Sequence, residues 1–457
     1  MELRGKNVVI VGLARTGESL ADFLLAEGAR VTISESKPLD ALGAQAAAWA
    51  ARGAVLECDG HNPATFLKAD LIIPSPGVPK LAAIQAARDK GVPVLSEIEL
   101  AFRFLRGTLI GISGTNGKST TATLTHRILA DAGEDAFLTG NIGVPLLSFV
   151  RRSRPGQIYV IEISSFQLEY IETFKVHIAV LLNVSRNHID WHGSFEEYWE
   201  TKAKLVTPLI AGDTAILNRD DSRVWDLAGR GPFQALGFSR TRDVERGAFL
   251  RDGQVVMRGL NGGDEILMPA AEIPLLGAHN RDNVMAAALV GRLRGVPAAS
   301  MRASIRAFRG LEHRLERVAV VGGVEFVNDS KATTVDAAIK AVESFDRPIV
   351  LILGGKDKGS DFAPLRALVA TRVKTVVLVG KAKETIRTAL EGAVPMTEAR
   401  DYADVVERAF AAAAPGDVVL LAPACTSWDM FASFEERGET LKREVGRLAR
   451  TIEGGGA

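Results

Sequence analysis

Two cysteines, Cys58 and Cys425, stand in a chain of 457 residues. They are too few for a disulfide framework and lack the spacing of metal ligands, so a reducing compartment is expected and cysteine chemistry is not. Net charge is missing too, since 55 Lys and Arg balance 55 Asp and Glu. Composition therefore gives no electrostatic reason to expect nucleic acid or an anionic membrane as partner, and small molecules are expected instead. No segment reaches the roughly 18 continuous apolar residues of a membrane span. The opening MELRGKNVVIVG enters a strand without an apolar signal core, which predicts a cytoplasmic protein without membrane insertion. Neither a fixed-period repeat nor a low-complexity region beyond the terminal GGGA is present.

What the chain does have is length and apolar content. At 457 residues and 47% apolar, it exceeds what one hydrophobic core normally serves. The first hundred residues alternate apolar strands (8–12, 31–34, 70–77) with Ala- and Leu-rich helical stretches, the signature of a parallel sheet. Their opening mimics a dinucleotide fingerprint with Gly12, Gly17 and Glu35, but Ala14 stands where the middle glycine belongs. A nucleotide or nucleotide-sugar at the strand ends fits better than NAD, and glycines serving only tight helix–strand packing are the alternative.

A second α/β block opens at 108 with TLIGIS, the loop GTNGKST (114–120) and a helical stretch closed by Gly133. The loop departs from G-x-x-x-x-G-K-[ST], because Ile112 occupies the first glycine's place. Strand, glycine loop and helix is nonetheless the setting in which backbone N–H groups face an anion, Lys118 supplies a point charge and the Ser119 hydroxyl can reach magnesium. An ordinary βα turn is the competing reading. Strands follow at 157–165 and 177–185. Between about 213 and 275, short alternating runs predict a small antiparallel patch. Near 311 the text changes again, to a hairpin turning at Gly322-Gly323 and a third α/β region with strands at 348–355, 374–380 and 417–423.

Further candidates sit where parallel strands should end. Glu162 can hold magnesium as a Walker-B acid does, or simply face solvent. The stretch 183–205 carries His188, Asp190, His192, Lys202 and Lys204. Asn280 and Asn283, three apart at a helix start, suit a purine edge or a helix cap. The last region carries EHR (312–314), NDSKATT (328–334), GGKDKGSDF (354–362) and PACTSWDMF (423–431), and in GGKDKGSDF lysines beside glycines suit an anion site or a solvated turn.

Taken in order, SPGV (75–78), GTNGKST, GNIG (140–143), EISSFQL (162–168), NVSRNHIDWHG (183–193), GAHN (277–280), HR (313–314), NDSKAT (328–333), GGKDKG (354–359) and PACTSWD (423–429) resemble the Mur ligase family along essentially the whole chain. The resemblance implies an α/β protein of three domains. These are a Rossmann-like UDP-sugar domain (1–107), a central P-loop ATPase with a parallel sheet and a small antiparallel patch (108–310), and a Rossmann-like C-terminal amino-acid domain (311–457). It implies an ATP- and Mg²⁺-dependent carbon–nitrogen ligase joining D-glutamate to UDP-N-acetylmuramoyl-L-alanine through an acyl phosphate, with L-glutamate the alternative. A monomer is expected. An NAD oxidoreductase and a P-loop switch ATPase are the rivals from other classes.

By the same resemblance Gly114, Thr115, Asn116, Gly117, Lys118, Ser119 and Thr120 hold the ATP phosphates, with Arg314 joining them. Asn280 and Asn283 meet adenine and Asp329 the ribose. Metal is expected at Ser119, Glu162, His188 and a carbamylated Lys202, with Lys204 as its nearby competitor. Thr16, Glu35, Ser36, Lys37, Ser75, Gly77, Asn141 and His188 are expected around the UDP-substrate. Thr333, Lys358, Ser427 and Phe434 should shape the glutamate pocket, and Lys331 should steady the acyl phosphate.

Overall fold

The computed structural model describes residues 1–260, 262–357 and 359–454. Its first sheet is parallel, with strands β1 (Asn7–Val11), β2 (Arg30–Ser34), β3 (Val55–Glu57) and β4 (Leu71–Pro74) in the order β3-β2-β1-β4. The helix Arg15–Ala26 follows β1 through a tight turn. There Gly17 is obligatory, because a Cβ would strike the Gly12 carbonyl oxygen.

The second sheet has nine strands. In chain order these are β5 (Thr108–Ser113), β6 (Ala136–Gly140), β7 (Ile158–Glu162), β8 (Ile178–Leu181), β9 (Thr214–Asn218), β10 (Gln234–Ser239), β11 (Gly247–Arg251), β12 (Gln254–Arg258) and β13 (Asp264–Pro269). They lie side by side as β13-β12-β11-β10-β9-β8-β5-β7-β6. Pairing is parallel from β6 through to β11 and antiparallel only across β11–β12 and β12–β13. The expected antiparallel patch exists but begins at 247, later than the alternating text near 213 suggested. β9 and β10 are instead buried parallel strands. Arg258 and Arg251 both bond Asp264 across the patch, and Arg251 also pairs Asp243. Because β5 lies between β7 and β8, the loops leaving all three open on one crevice, the place where such sheets bind ligands.

The third sheet runs β14-β15-β19-β16-β17-β18, from β14 (Glu316–Val321), β15 (Val324–Asn328), β16 (Ile349–Gly354), β17 (Val373–Val379), β18 (Met396–Glu398) and β19 (Val418–Leu421). Only β14–β15 is antiparallel, and its turn is the expected Gly322-Gly323, both with positive φ as a two-residue hairpin requires. Ile349, Leu351 and Leu353 of β16 enter one apolar cluster and Val350 and Ile352 another, so this sheet is buried on both faces.

The chain separates into two compact units, Met1–Ile273 with Arg281–Ala307, and Pro274–Asn280 with Phe308–Ala457. The first two sheets thus share a unit, and one apolar cluster runs from Val8 and Ile10 of β1 to Tyr159 and Ile161 of β7. A buried carboxylate joins them as well. Glu99, on the short helix Glu97–Phe102, is buried and accepts hydrogen bonds from the backbone N–H of Glu172, Thr173 and Phe174, from the Thr173 hydroxyl and from Arg103 Nε, all between 2.6 and 2.9 Å. Burial alone would raise its pKa, but these donors outweigh it and the net shift is downward.

Glu99→Ala is expected to lose about 3–5 kcal/mol of stability, read from the urea midpoint, because it orphans several buried donors at once. The wild-type contribution is fully present above the ordinary glutamate range and fades as pH falls through the depressed folded value. The variant should therefore show a flatter stability curve below about pH 4.5.

Candidate active site

The loop 114–117 leaves β5 and enters the helix Lys118–Asp131. Asn183, just beyond β8, clamps it: its carbonyl accepts from Thr115 N at 3.0 Å, and its side chain both accepts from Asn116 N at 2.9 Å and donates to Asn116 O at 3.0 Å. Gly117 has φ +86°, and a Cβ there would collide with Asn283 Oδ1, which accepts a bond from Thr121 Oγ1 at 3.1 Å. Asn283 thus abuts the loop. Ser119 and Thr120 are buried in the helix's first turn. Lys118 Nζ curls over the loop to the carbonyls of Gly114 (3.0 Å) and Thr115 (2.9 Å).

Three further expected residues converge here. Glu162, 1% exposed at the end of β7, accepts from Asn141 Nδ2 at 2.8 Å through Oε1. Its Oε2 is buried with no hydrogen-bond partner among the described residues. Lys202 is also 1% exposed; its Nζ donates to the Gly114 carbonyl at 2.9 Å and lies 4.9 Å from the Tyr198 ring centre. Burial first, and the Lys118 charge second, push its pKa well below that of an ordinary lysine, with Glu162 opposing. Its amine is thereby drawn toward the neutral, nucleophilic form. Lys204, the competitor, bonds the Glu169 carbonyl instead.

His188 adopts a left-handed backbone, φ +52°, with its ring 4.9 Å from Phe166 and 6.5 Å from Tyr198. Burial lowers its pKa and the charges of Lys118 and Lys202 add to that, while Asp190 opposes them. His192 on the next turn is 1% exposed and bonds Ser165 Oγ through Nε2 at 2.9 Å.

The expected UDP-substrate residues gather at the ends of β1, β2 and β4. Ser75 Oγ donates to Gly12 O at 3.0 Å, Gly77 has φ +87° and Thr16 sits in the first turn of the helix Arg15–Ala26. Glu35, expected around the UDP-substrate, is hydrogen-bonded to its surroundings. Its carboxylate accepts from Leu13 N (2.8 Å), Lys37 N (3.1 Å) and Ser36 Oγ (3.2 Å), and these bonds overcome burial to lower its pKa. It braces the turn, leaving Ser36 and Lys37 exposed beside it. In the same unit a cleft of about 680 Å³ runs beside this helix, lined by Arg15, Ser19, Trp49, Gly143, Ser148 and Arg151 among others.

In the second unit, Asp329 is pushed up to about 7 by burial, with Arg314 opposing the shift, so the two expected nucleotide contacts are neighbours. Lys331 Nζ lies 3.7 Å from the Phe434 ring centre. Thr333 N bonds Lys331 O at 2.8 Å, and Ser427 is buried. Asn280 Nδ2 donates to Leu276 O at 2.6 Å. Lys358 lies outside the described residues. Sequence reasoning missed Asn183, Tyr198 and Thr121 in the first unit. Of these Asn183 alone lies in a family-like motif, NVSRNHIDWHG, and the strand expected over 177–185 runs through it, whereas β8 ends at Leu181.

The Mur ligase middle domain matches residues 112–291, the Mur ligase glutamate ligase domain 313–425 and the Mur ligase MurD-like N-terminal domain 6–96. A UDP-N-acetylmuramoylalanine–D-glutamate ligase of Acidobacterium capsulatum is 47% identical over 97% of this chain and 96% of that protein. The chain belongs to the Mur ligase family. Another Mur ligase of the same name, from Koribacter versatilis, is 44% identical over 98% of this chain and 99% of its own. Solved Mur ligase structures share the fold at low identity. A pseudomurein peptide ligase type C from Methanothermus fervidus has a TM-score of 0.59 at 15% identity, covering 97% of this chain and 100% of that one. A UDP-N-acetylmuramate-alanine ligase from Thermotoga maritima has 0.57 at 16%, covering 98% and 100%.

Burial, with smaller contributions from Lys80, His188 and Lys202 and with Glu169 opposing, pushes His192 down to about 4 from an ordinary 6.5. An unfolded chain then binds the proton first, so stability is full above pH 6.5 and declines toward pH 4. His192→Gln should remove on the order of 2–3 kcal/mol of that acid-side loss, seen as a shallower fall in denaturation midpoint between those pH values.

Proposed function

We propose that this protein adds D-glutamate to UDP-N-acetylmuramoyl-L-alanine at the expense of ATP, in cytoplasmic peptidoglycan precursor synthesis and so in cell-wall growth, cell shape and division. The observation that carries the reading is the convergence of Lys118, Glu162 and the buried Lys202 on one phosphate loop. Curated relatives bearing the D-glutamate ligase name align along nearly the whole chain. We take the working domains as 1–107, 108–310 and 311–457, acting in a monomer.

A carboxylate resists amines, so it must first be activated. The muramoyl-alanine carboxylate attacks the γ-phosphorus of ATP, giving an acyl phosphate and ADP. The glutamate amine then adds to the acyl carbon, and the tetrahedral intermediate expels phosphate. The loop amides of 114–117, Ser119, Thr120 and Lys118 would hold the ATP phosphates. Asn280 and Asn283 would meet adenine, Asp329 the ribose and Arg314 the phosphates. Thr16, Glu35 through its loop, Ser36, Lys37, Ser75, Gly77, Asn141 and His188 would hold the UDP-substrate. Lys331, Thr333, Lys358, Ser427 and Phe434 would serve glutamate and the acyl phosphate.

Magnesium fits the donor set, because Glu162 Oε2 is a buried carboxylate oxygen beside the phosphate loop with no hydrogen-bond partner among the described residues. Ser119, Glu162, His188 and a carbamate on Lys202 would hold it, and it would neutralise charge developing on the transferred phosphoryl group. The lowered pKa of Lys202 favours the carbamate, since only a neutral amine attacks carbon dioxide. The product reverses the side chain's charge.

Phosphate release from ATP and Mg²⁺ with UDP-N-acetylmuramoyl-L-alanine should depend on D-glutamate and not on L-glutamate. Release with either enantiomer or with neither would refute the assignment. Lys202→Ala should lower kcat at least about a thousandfold, with partial recovery on adding short carboxylic acids. Undiminished turnover in that variant would remove the carbamate from the scheme.

A further inference from the structure

The second unit buries one arginine whose position the ligase chemistry does not by itself explain. Arg437 is 1% exposed on the helix Phe434–Gly454, and among the described residues it forms no ion pair. Its guanidinium is spent on loops. Nε donates to Ser330 Oγ at 2.9 Å, Nη2 to the Ser330 carbonyl at 2.8 Å and Nη1 to the Cys425 carbonyl at 3.1 Å. Ser330 Oγ in turn donates to the Phe434 carbonyl at 2.7 Å.

Those three positions lie at or beside the proposed glutamate contacts. Ser330 lies between Asp329 and Lys331, Cys425 stands two residues before Ser427, and Phe434 is one turn before Arg437 on its own helix. Burying a guanidinium without a carboxylate is costly, and an apolar side chain of similar volume would fill the space more cheaply. A planar fork of donors offers what an apolar residue lacks, a fixed distance between the two loops.

We propose that Arg437 is a positioning residue for the amino-acid substrate, fixing the loop of Lys331 and the loop of Ser427 at the separation that glutamate bridges. The inference rests on the ligase reading above. It assigns Arg437 no contact with substrate.

Arg437→Lys keeps the charge but loses the fork, and Ser330→Ala removes the hydroxyl between Arg437 and Phe434 without a large cavity. Both should raise KM for D-glutamate, the lysine variant by about tenfold, while KM for ATP and for UDP-N-acetylmuramoyl-L-alanine stays within about twofold. Val445→Ala, a buried truncation farther along the same helix, serves as the purely structural comparison and should leave all three KM values together. If Arg437→Lys fails to fold, Ser330→Ala alone decides. A glutamate KM no higher than that of Val445→Ala, or a parallel rise for all three substrates, overturns the proposal while wild-type turnover leaves the ligase reading standing. Wild-type protein without glutamate-dependent turnover would overturn both.

Discussion

The architecture of the first unit depends on a single buried carboxylate. Glu99 receives donors from three consecutive backbone amides, a hydroxyl and a guanidinium. Taken out of water without them, that charge would be strongly destabilising; fully satisfied, it locks the helix Glu97–Phe102 to the segment before β8. The apolar cluster shared by the first two sheets supplies area, but area alone leaves orientation loose. Directional bonds from five donors remove that freedom. The turns at the ends of β1, β2 and β4 are thereby held in a fixed relation to the phosphate loop in the same unit.

The site itself is built from groups set against their ordinary charge states. Lys202 is buried beside another cation and is pushed toward neutrality. Burial likewise lowers the pKa values of His188 and His192. Glu162 accepts from Asn141 through one oxygen, and the other has no hydrogen-bond partner among the described residues. Bases with lowered pKa values and a buried carboxylate oxygen around a loop of backbone amides make an environment that accepts both an anionic phosphate and a divalent cation.

Much of this was legible in the sequence, for reasons that can be named. Buried parallel strands such as β5, β8 and β16 read as short β-branched runs, and the Gly322-Gly323 turn announced its hairpin because few other residues adopt two positive φ values in succession. Lys202 and its competitor Lys204 point to different carbonyls, Gly114 and Glu169. Less visible was anything carried by non-local hydrogen bonding. Glu35 read as the acidic residue of a dinucleotide-like fingerprint, and its carboxylate also accepts from Leu13 N in the turn after β1. Glu99 and Arg437 were not among the expected residues, and Asn183 was only the first residue of the stretch 183–205. Each bonds a segment remote in the chain, and no local pattern encodes that.

The antiparallel patch at the far side of the nine-stranded sheet has a colloidal consequence. Among the described residues β13 pairs with β12 alone and is the edge strand of this sheet, with Arg302 Nη1 donating to its Leu267 carbonyl at 3.2 Å. It also displays Ile266, which is 60% exposed. Immediately before it, Asp264 is tied to Arg251 and Arg258 and Glu265 to Arg292. Intermolecular pairing along this edge would have to desolvate or break those ion pairs. The arginines that stiffen the patch therefore also act as gatekeepers against self-association, and neutralising them would expose an aggregation-prone edge without touching the catalytic crevice.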